Sequence, residues 1–473
     1  LIVDARRHTL SNLIEKAPTV GATIELTIDE SLQHVAEREL AAGVAENRAL
    51  GGSVVVMHPR TGEILAMANA PTFDPNVYRD STELARRNRA VQDLYEPGST
   101  FKIVTASAAM EEKVMPVETL IDTNPGIIRI GSRVVGEASS HNYGVLSFGD
   151  VIVKSSNVGA IKIGFRLGTD RLSDYVQRFG FGRPISPDFP SESPGIVWER
   201  SKWTESALAS VSMGYQVGVT PLQMAAAFSA VANGGEYVEP RVVRAVYRDG
   251  LRYEVTPRTL RRTTSTQTAA AMTAIMEQVV ERGTATMAKI PGYTVAGKTG
   301  TANKLLNGRY STDTYASFAG FVPSTKPEFV ILVVLDSPRG PNGHFGGPVS
   351  APIFRRIAEA ALRYEGVPPT IDAAPPVLVA RDEHGGLRQA SVPVVEPEPP
   401  ALPDSPGTVP DLRGMSAREA ALTLNGLGMT GSLSGDGFVT AQDPAAGSPL
   451  TDGMQYRLTL ARTPTAQVAV VRP

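Results

Sequence analysis

Residues 95–104 read YEPGSTFKIV. Pro97-Gly98 turns the chain and Ile103-Val104 opens an apolar run, so the stretch predicts a helix starting near Ser99. Ser99 and Lys102 then lie one turn apart on one face, close enough to touch. A serine hydroxyl is a poor nucleophile until a base takes its proton. Lysine can be that base once its pKa falls, and a helix N-terminus, burial or a second cation each lowers it. The plain alternative is an ordinary helix start with an exposed lysine. No other serine in the chain has lysine at +3.

Outward from this stretch, the chain is long enough for two or three domains at 473 residues. Its apolar share of 42% and charged share of 20% are those of a globular protein with a large core. A net charge of −2 argues against a general polyanion binder, so no nucleic-acid partner is expected. Without cysteine there is no disulfide, zinc finger or thiol catalysis. His8, His34, His58, His141, His344 and His384 are scattered without ligand spacing, so no metal is expected. The strongest apolar run, FVILVVL at 329–335, has the length of a buried strand rather than a membrane span. The sequence opens at LIVDARR with neither Met nor a signal peptide, which suggests an element continuing from upstream.

Residues 1–22 look like the tail of that element. In IELTIDESLQHVAERELAAGVAENR, Leu32, Val35, Ala36 and Leu40 recur at helical spacing, and Thr27 with Glu30 suggests a capping box. Runs 53–57 and 63–68 flank His58-Pro59-Arg60-Thr61-Gly62 and predict a hairpin. A mostly helical stretch spans about 99–230. TVAGKTGTA, YASFAGFVP and EFVILVVLD between 295 and 336 predict strands, and 352–366 predicts a closing helix. This order favours an α+β fold, a helical cluster beside an antiparallel sheet. Ten of the 36 prolines fall between 366 and 407, marking a linker or wrapping segment. Residues 408–460 predict a small βαββ-like unit, with SAREAALTLNGLG a helix ending at Gly426 or Gly428 and YRLTLA a strand.

Two further patterns carry chemistry. Ser155-Ser156-Asn157 offers a hydroxyl and a carboxamide two residues apart, able to shuttle a proton and hold a substrate backbone; a helix cap is the plain alternative. Ser140-His141-Asn142 has the same Ser-x-Asn pattern, and pattern alone does not choose between them. In TVAGKTGTAN (294–303), Gly300 permits close approach to the backbone. Lys298, Thr299 and Thr301 suit a carboxylate. An edge-strand lysine is the plain alternative here.

In the order Ser-x-x-Lys, Ser-x-Asn, Lys-Thr-Gly, the three patterns resemble the penicillin-recognising serine acyltransferases, the fold of penicillin-binding proteins and serine β-lactamases. The resemblance selects Ser155, because the family's SSN turn precedes a helix like VGAIKIG. Also similar are GSVVVMHPRTGEILAMA, MGYQVGVTPLQMAAAFSAVANGG (213–235), ERGTAT (281–286), FAGFVP (318–323) and GGPVSAPIF (346–354). LTIDESLQHVAEREL resembles the lead-in of the monofunctional class B, and VPDLRGMSAREAALTLNGLG to DPAAGSPLTDG resembles a PASTA domain. The implied fold is a transpeptidase domain, an antiparallel sheet flanked by helices with an all-helical subdomain, followed by a small α/β module. The implied division is a pedestal remnant (1–22), transpeptidase domain (23–366), proline-rich linker (367–407), PASTA-like domain (408–461) and tail (462–473).

The resemblance implies acyl transfer without any cofactor. Ser99 attacks the carbonyl between the last two D-alanines of a peptidoglycan stem peptide, and Lys102 takes its proton. Ser155, assisted by Lys298, passes a proton to the leaving D-alanine. N–H groups of Ser99 and Thr301 hold the oxyanion, Thr299 and Thr301 the terminal carboxylate, Gly300 admits the substrate, and Asn157 holds its amide. Implied partners are stem peptides, β-lactam antibiotics, a membrane lipid-II polymerase and cell-division proteins. The implied location is the extracytoplasmic face of the cytoplasmic membrane, reached through an N-terminal anchor. Ser156 stands where many β-lactamases carry Asp, and no deacylation glutamate motif is recognisable; both favour a transpeptidase. The rivals are a D,D-carboxypeptidase or β-lactamase of the same fold, and a penicillin sensor or scaffold acting through the PASTA-like module.

Overall fold

The computed structural model describes residues 21–248 and 251–371, and within 407–461 all but 416, 418–419, 421–422, 425–426, 436–437 and 452. It also gives short strands at Ile2–Val3, Thr9–Ser11, Leu378–Arg381 and Leu387–Ala390. Most of the expected remnant at 1–22 and linker at 367–407, Gly426, and the whole 462–473 tail lie outside the described residues. The chain divides into two compact units, Leu1–Ala374 and Pro375–Pro473.

In the first unit, helix α1 (Glu30–Glu46) buries Leu32, Ala36 and Leu40 of the expected stripe, leaves Val35 half-buried, and also buries Glu39 and Gly43. Its cap corrects the expected capping box. Asp29 is the N-cap and accepts from Leu32 N, while the Thr27 hydroxyl donates to Ile64 O at 2.6 Å. Thr27 is fully buried, where its hydroxyl requires a partner, and the neighbouring strand supplies one.

The sheet joins both ends of this unit. Strands β1 (Gly51–Met57) and β2 (Ile64–Ala70) form the expected hairpin. Strands β3 (Ala296–Leu306), β4 (Arg309–Val322) and β5 (Phe329–Asp336) follow much later in the chain. The order is β3-β4-β5-β1-β2, antiparallel throughout, with Leu332 paired to Ala319 on one side and Val55 on the other. All eight residues of β5 are buried. A strand covered on both faces loses the apolar–polar alternation, which is why FVILVVLD reads as one apolar run. Helices α1 and α6 (Gly346–Tyr364) pack on each other and on the sheet, while α4 (Pro221–Ala232) packs on β1, β4 and β5. Each fully buried Val, Leu or Ile here contributes about 1.5–3 kcal/mol of transfer free energy.

The helical half centres on α2 (Lys102–Glu111), whose residues from Lys102 to Ala109 are all buried. Around it stand α3 (Asn157–Leu167) and α5 (Thr266–Arg282). The expected helical stretch of 99–230 is interrupted. Leu120–Asp122 pairs with Val145–Ser147, and Ile127–Ile130 with Arg133–Gly136. The β-branched run IIRIGSRVV carries that exception, with Gly131 at positive φ turning it. Thr23–Leu26, Val243–Arg248 and Leu251–Glu254 add a three-stranded sheet that the sequence reading lacked.

The second unit has its own core of Val409, Leu412, Ala420, Leu424, Met429, Val439, Tyr456, Leu458 and Leu460. Residues 417, 420, 423 and 424 are helical, and the following turn carries Gly428 at φ 75°. Strands Thr430–Gly435, Phe438–Asp443 and Gln455–Ala461 form a mixed sheet with the last in the middle. Where a leading strand was expected, the described residues have a single bridge between Thr408 and Pro449. Gln455–Ala461 alternates exposed and buried, burying Tyr456, Leu458 and Leu460 on one face.

Candidate active site

Ser99 lies in a 3₁₀ turn, Gly98–Phe101, that leads directly into α2. In 3₁₀ geometry positions i and i+3 eclipse, so Ser99 and Lys102 share one side of the turn. The turn is seated by a hydrogen bond from Gly98 N to Gly214 O at 3.0 Å. Gly214 sits at φ 85°, and a Cβ there would collide with Gly98 O, so the approach requires glycine.

Lys102 is fully buried, which removes the exposed-lysine alternative. Its Nζ donates to Ser155 O at 2.7 Å and to Asn157 Oδ1 at 2.9 Å. A neutral amine has two N–H donors, and these two acceptors match them, leaving its lone pair to accept a proton. Burial pushes the Lys102 pKa down to about 7, against an opposing upward pull from the Glu137 charge.

Ser155 follows the helix Phe148–Val153 and adopts φ 62°, a left-handed conformation rare for serine. The next residue, Ser156, caps α3 by accepting from Gly159 N at 2.9 Å. Ser155 Oγ receives a hydrogen bond from Lys298 Nζ at 2.9 Å. This contact separates the two Ser-x-Asn patterns, because Ser140 and Asn142 are exposed. His141, between them, does line the cleft.

Lys298, on β3, is fully buried, so the edge-lysine alternative also falls. Its Nζ donates to Thr299 O at 3.2 Å as well as to Ser155. Burial and the neighbouring Lys102 charge both hold its pKa well below the usual lysine range. Its amine nitrogen is engaged with the serine, and the threonines rather than the lysine present themselves to the cleft. Thr299 Oγ1 lies 2.7 Å from Thr284 Oγ1, and Thr301 Oγ1 accepts from Gly346 N at 3.1 Å.

Ser99, Ser155, Asn157, Thr299 and Thr301 together line one cleft of about 580 Å³. β3 is the outermost strand of the sheet and forms a wall of this cleft. Thr301 O lies beside Gly98, within 3.0 Å of where a Cβ there would sit, and so faces the nucleophile's turn rather than β4. Main-chain groups alternate along a strand, so Thr301 N–H points the same way, off the sheet edge and into the cleft. Tyr215, Thr284, Asn303, His344 and Phe345 are among the further lining residues that were not assigned from sequence. Thr284 and Tyr215 lie in, and Phe345 beside, stretches already noted as family-like, and Asn303 closes the TVAGKTGTAN stretch, but none of them was singled out there.

Gly300 fits between the nucleophile's turn and the sheet. A Cβ there would meet Ser317 Oγ, Pro97 O at 2.8 Å and Thr100 Cγ2 at 3.0 Å. Gly300→Ala is expected to cost about 1–3 kcal/mol, because the backbone at Pro97 must move. Denaturant unfolding measures this; an unchanged midpoint would mean that the contact relaxes freely.

Comparison with known proteins identifies the family. The family model described as the penicillin binding protein transpeptidase domain matches residues 52–359, and the PASTA domain model matches 407–462. The chain is 34% identical over 383 residues to "Probable peptidoglycan D,D-transpeptidase PbpC" of Pseudomonas aeruginosa, covering 80% of this chain and 66% of the relative. It is 32% identical over 454 residues to "Stage V sporulation protein D" of Bacillus subtilis, covering 94% of this chain and 66% of the relative. The chain therefore spans just under two thirds of these curated relatives. The structure of penicillin-binding protein 3 from Mycobacterium tuberculosis complexed with ampicillin superposes with a TM-score of 0.69 at 34% identity, covering 77% of this chain and 83% of that one. With the serine, the two buried lysines and the SSN turn assembled on this fold, the chain belongs to the penicillin-binding protein transpeptidase family.

Proposed function

We propose that the chain is a class B peptidoglycan D,D-transpeptidase that cross-links stem peptides through a serine acyl-enzyme. The observation that carries this reading is Lys102, buried one turn from Ser99 and held near pKa 7 with both amine donors satisfied. A base with that pKa is largely neutral at physiological pH and still strong enough to take a hydroxyl proton.

In the first half-reaction Ser99 Oγ bonds to the carbonyl carbon of the penultimate D-alanine while its proton moves to Lys102. The C–N bond to the terminal D-alanine breaks, and the leaving amine takes a proton from Ser155 Oγ. Lys298, bonded to that hydroxyl, stabilises the serine oxygen as the proton departs. The N–H groups of Ser99 and Thr301 face the oxyanion, each donor worth about 2.7–4 kcal/mol of barrier. Thr299 and Thr301 hold the terminal carboxylate, Gly300 admits the substrate against β3, and Asn157 orients the substrate amide. In the second half an acceptor amine attacks the ester and gives its proton to Ser155 Oγ, the new amide forms as the ester C–O bond breaks, and Ser99 takes back the proton held by Lys102.

β-Lactams enter the same cleft as substrate mimics, a reading supported by the ampicillin complex of the mycobacterial relative. The sporulation relative's name supports a role in septal or sporulation wall synthesis. By family resemblance the chain works outside the cytoplasmic membrane, beside a lipid-II polymerase and division proteins. Among the described residues no helix is long and apolar enough to cross a membrane. The second unit, with its separate core, acts as a PASTA module.

The test is the lifetime of the penicillin adduct, followed by intact mass over hours. An adduct of one drug mass persisting for hours is expected. Rapid loss of the adduct with drug turnover would move the reading to a β-lactamase. Hydrolysis rather than aminolysis of a D-alanyl-D-alanine peptide in the presence of an amine would move it to a carboxypeptidase.

A further inference from the structure

Glu137 is the buried acid nearest the reaction machinery, only 6% exposed, and no pattern in the sequence marks it. It lies just beyond the strand Arg133–Gly136, well before the SSN turn in the chain. Its carboxylate gathers three donors from that turn. Ser156 Oγ donates to Oε1, Asn157 N to Oε2 at 2.5 Å, and Val158 N to Oε1 at 3.3 Å. These N–H groups belong to the first turn of α3, an eleven-residue helix whose N-terminal end favours a negative charge. Beside it, Gly136 O accepts from Asn157 Nδ2 at 3.0 Å. The Asn157 carboxamide is therefore fixed at both ends, its nitrogen on Gly136 and its oxygen on Lys102.

The turn so held is under strain, since Ser155 sits at φ 62°. Such a conformation persists only where surrounding contacts over-determine it. Lys102 binds the turn from its carbonyl side, and Glu137 from its N–H side. We propose that Glu137 is a positioning residue for acyl transfer: its buried carboxylate locks the Ser155–Asn157 turn so that Ser155 Oγ meets Lys298 and Asn157 Oδ1 meets Lys102. This inference rests on the transpeptidase reading for the role of the serine and the lysines. Glu137 itself touches no reacting atom.

The carboxylate also acts through its charge. Lys102 is faced by the Ser155 carbonyl and Asn157 carboxamide from the α3 turn, by the Lys298 amine from β3 and by Glu137 from its loop. Tyr143 also feels the Glu137 charge. Among these the Glu137 charge opposes the burial that lowers the Lys102 pKa. Its removal moves that pKa further down.

The test compares Glu137→Gln and Glu137→Asp with the unaltered chain in a stopped-flow assay of fluorescent penicillin acylation between pH 5 and 9. Melting temperature is recorded for each variant. Glu137→Gln keeps the shape and loses the charge. It is expected to acylate at least about tenfold more slowly, with its pH midpoint moved to lower pH. Glu137→Asp keeps the charge on a shorter stem; its midpoint is expected to stay with the parent while its rate falls. A merely structural role would lower the melting temperature and leave the midpoint in place. Glu137→Gln acylating within threefold of the parent, at an unchanged midpoint, would overturn the proposal. If Glu137→Gln does not fold, Glu137→Asp decides: a rate equal to the parent's overturns it. Failure of the parent itself to acylate would instead overturn the transpeptidase reading.

Discussion

Ser99→Ala is expected to abolish the covalent penicillin adduct, with residual reaction at least about 10⁴-fold slower than the parent. The estimate follows from the role of the side chain. Without Oγ there is no atom to form the ester, and the cleft can only bind the drug reversibly. The substitution is structurally mild. Ser99 lies in a 3₁₀ turn whose seating depends on Gly98 and Gly214, and alanine is compatible with that backbone. Intact mass after prolonged incubation, with melting temperature as the control for folding, measures the outcome. An adduct of one drug mass on a folded Ser99→Ala chain would remove Ser99 as the nucleophile and point to another hydroxyl in the cleft, of which Ser155 is the nearest to a lysine.

Lys102→Met carries the second large effect. Methionine nearly matches the lysine stem in volume and suits a fully buried site, so the fold is expected to survive. Acylation is expected to fall by about 10²–10⁴, the range of general-base contributions. The parent's pH profile gives an independent check with a definite sign. The neutral amine is the active form and the Lys102 pKa lies at about 7. Below that value the acylation rate should fall about tenfold per pH unit as the amine is protonated. Above it the rate should level off. Lys102→Met should lose this inflection. A parent profile flat from pH 5 to 9 would remove Lys102 as the titrating base.

How much of this was legible in the sequence depends on distance along the chain. Ser99 and Lys102 are three residues apart, and helical periodicity alone puts them on one side. The strand through Lys298, Thr299 and Thr301 was legible from its β-prone approach and Gly300. Local spacing could not show that Lys298 turns to Ser155, 143 residues earlier in the chain, because that contact is made by tertiary packing. Resemblance supplied the choice of Ser155 that the residues left open. Glu137 escaped entirely: a single acid in GEASSH has no periodicity, and its partners lie 19 to 21 residues on. Thr27 was misread for the converse reason, since a plausible local cap lost to a buried hydroxyl needing a partner on β2. In the fold, the eight buried residues of β5 announced themselves. The short strand pairs between 120 and 147 were hidden by their length.

The outermost position of β3 has one more consequence. Thr301 O faces the nucleophile's turn rather than β4, so as the outer strand β3 presents main-chain donors and acceptors that the protein's own sheet does not use. A peptide entering the cleft in extended form can pair with them as an added strand, the β-augmentation seen where sheets recognise peptides. Recognition in that mode is read from amide geometry, with side chains entering only at the pockets between. A small rigid amide that presents one carbonyl and one carboxylate at the right spacing can therefore compete with a long polymer.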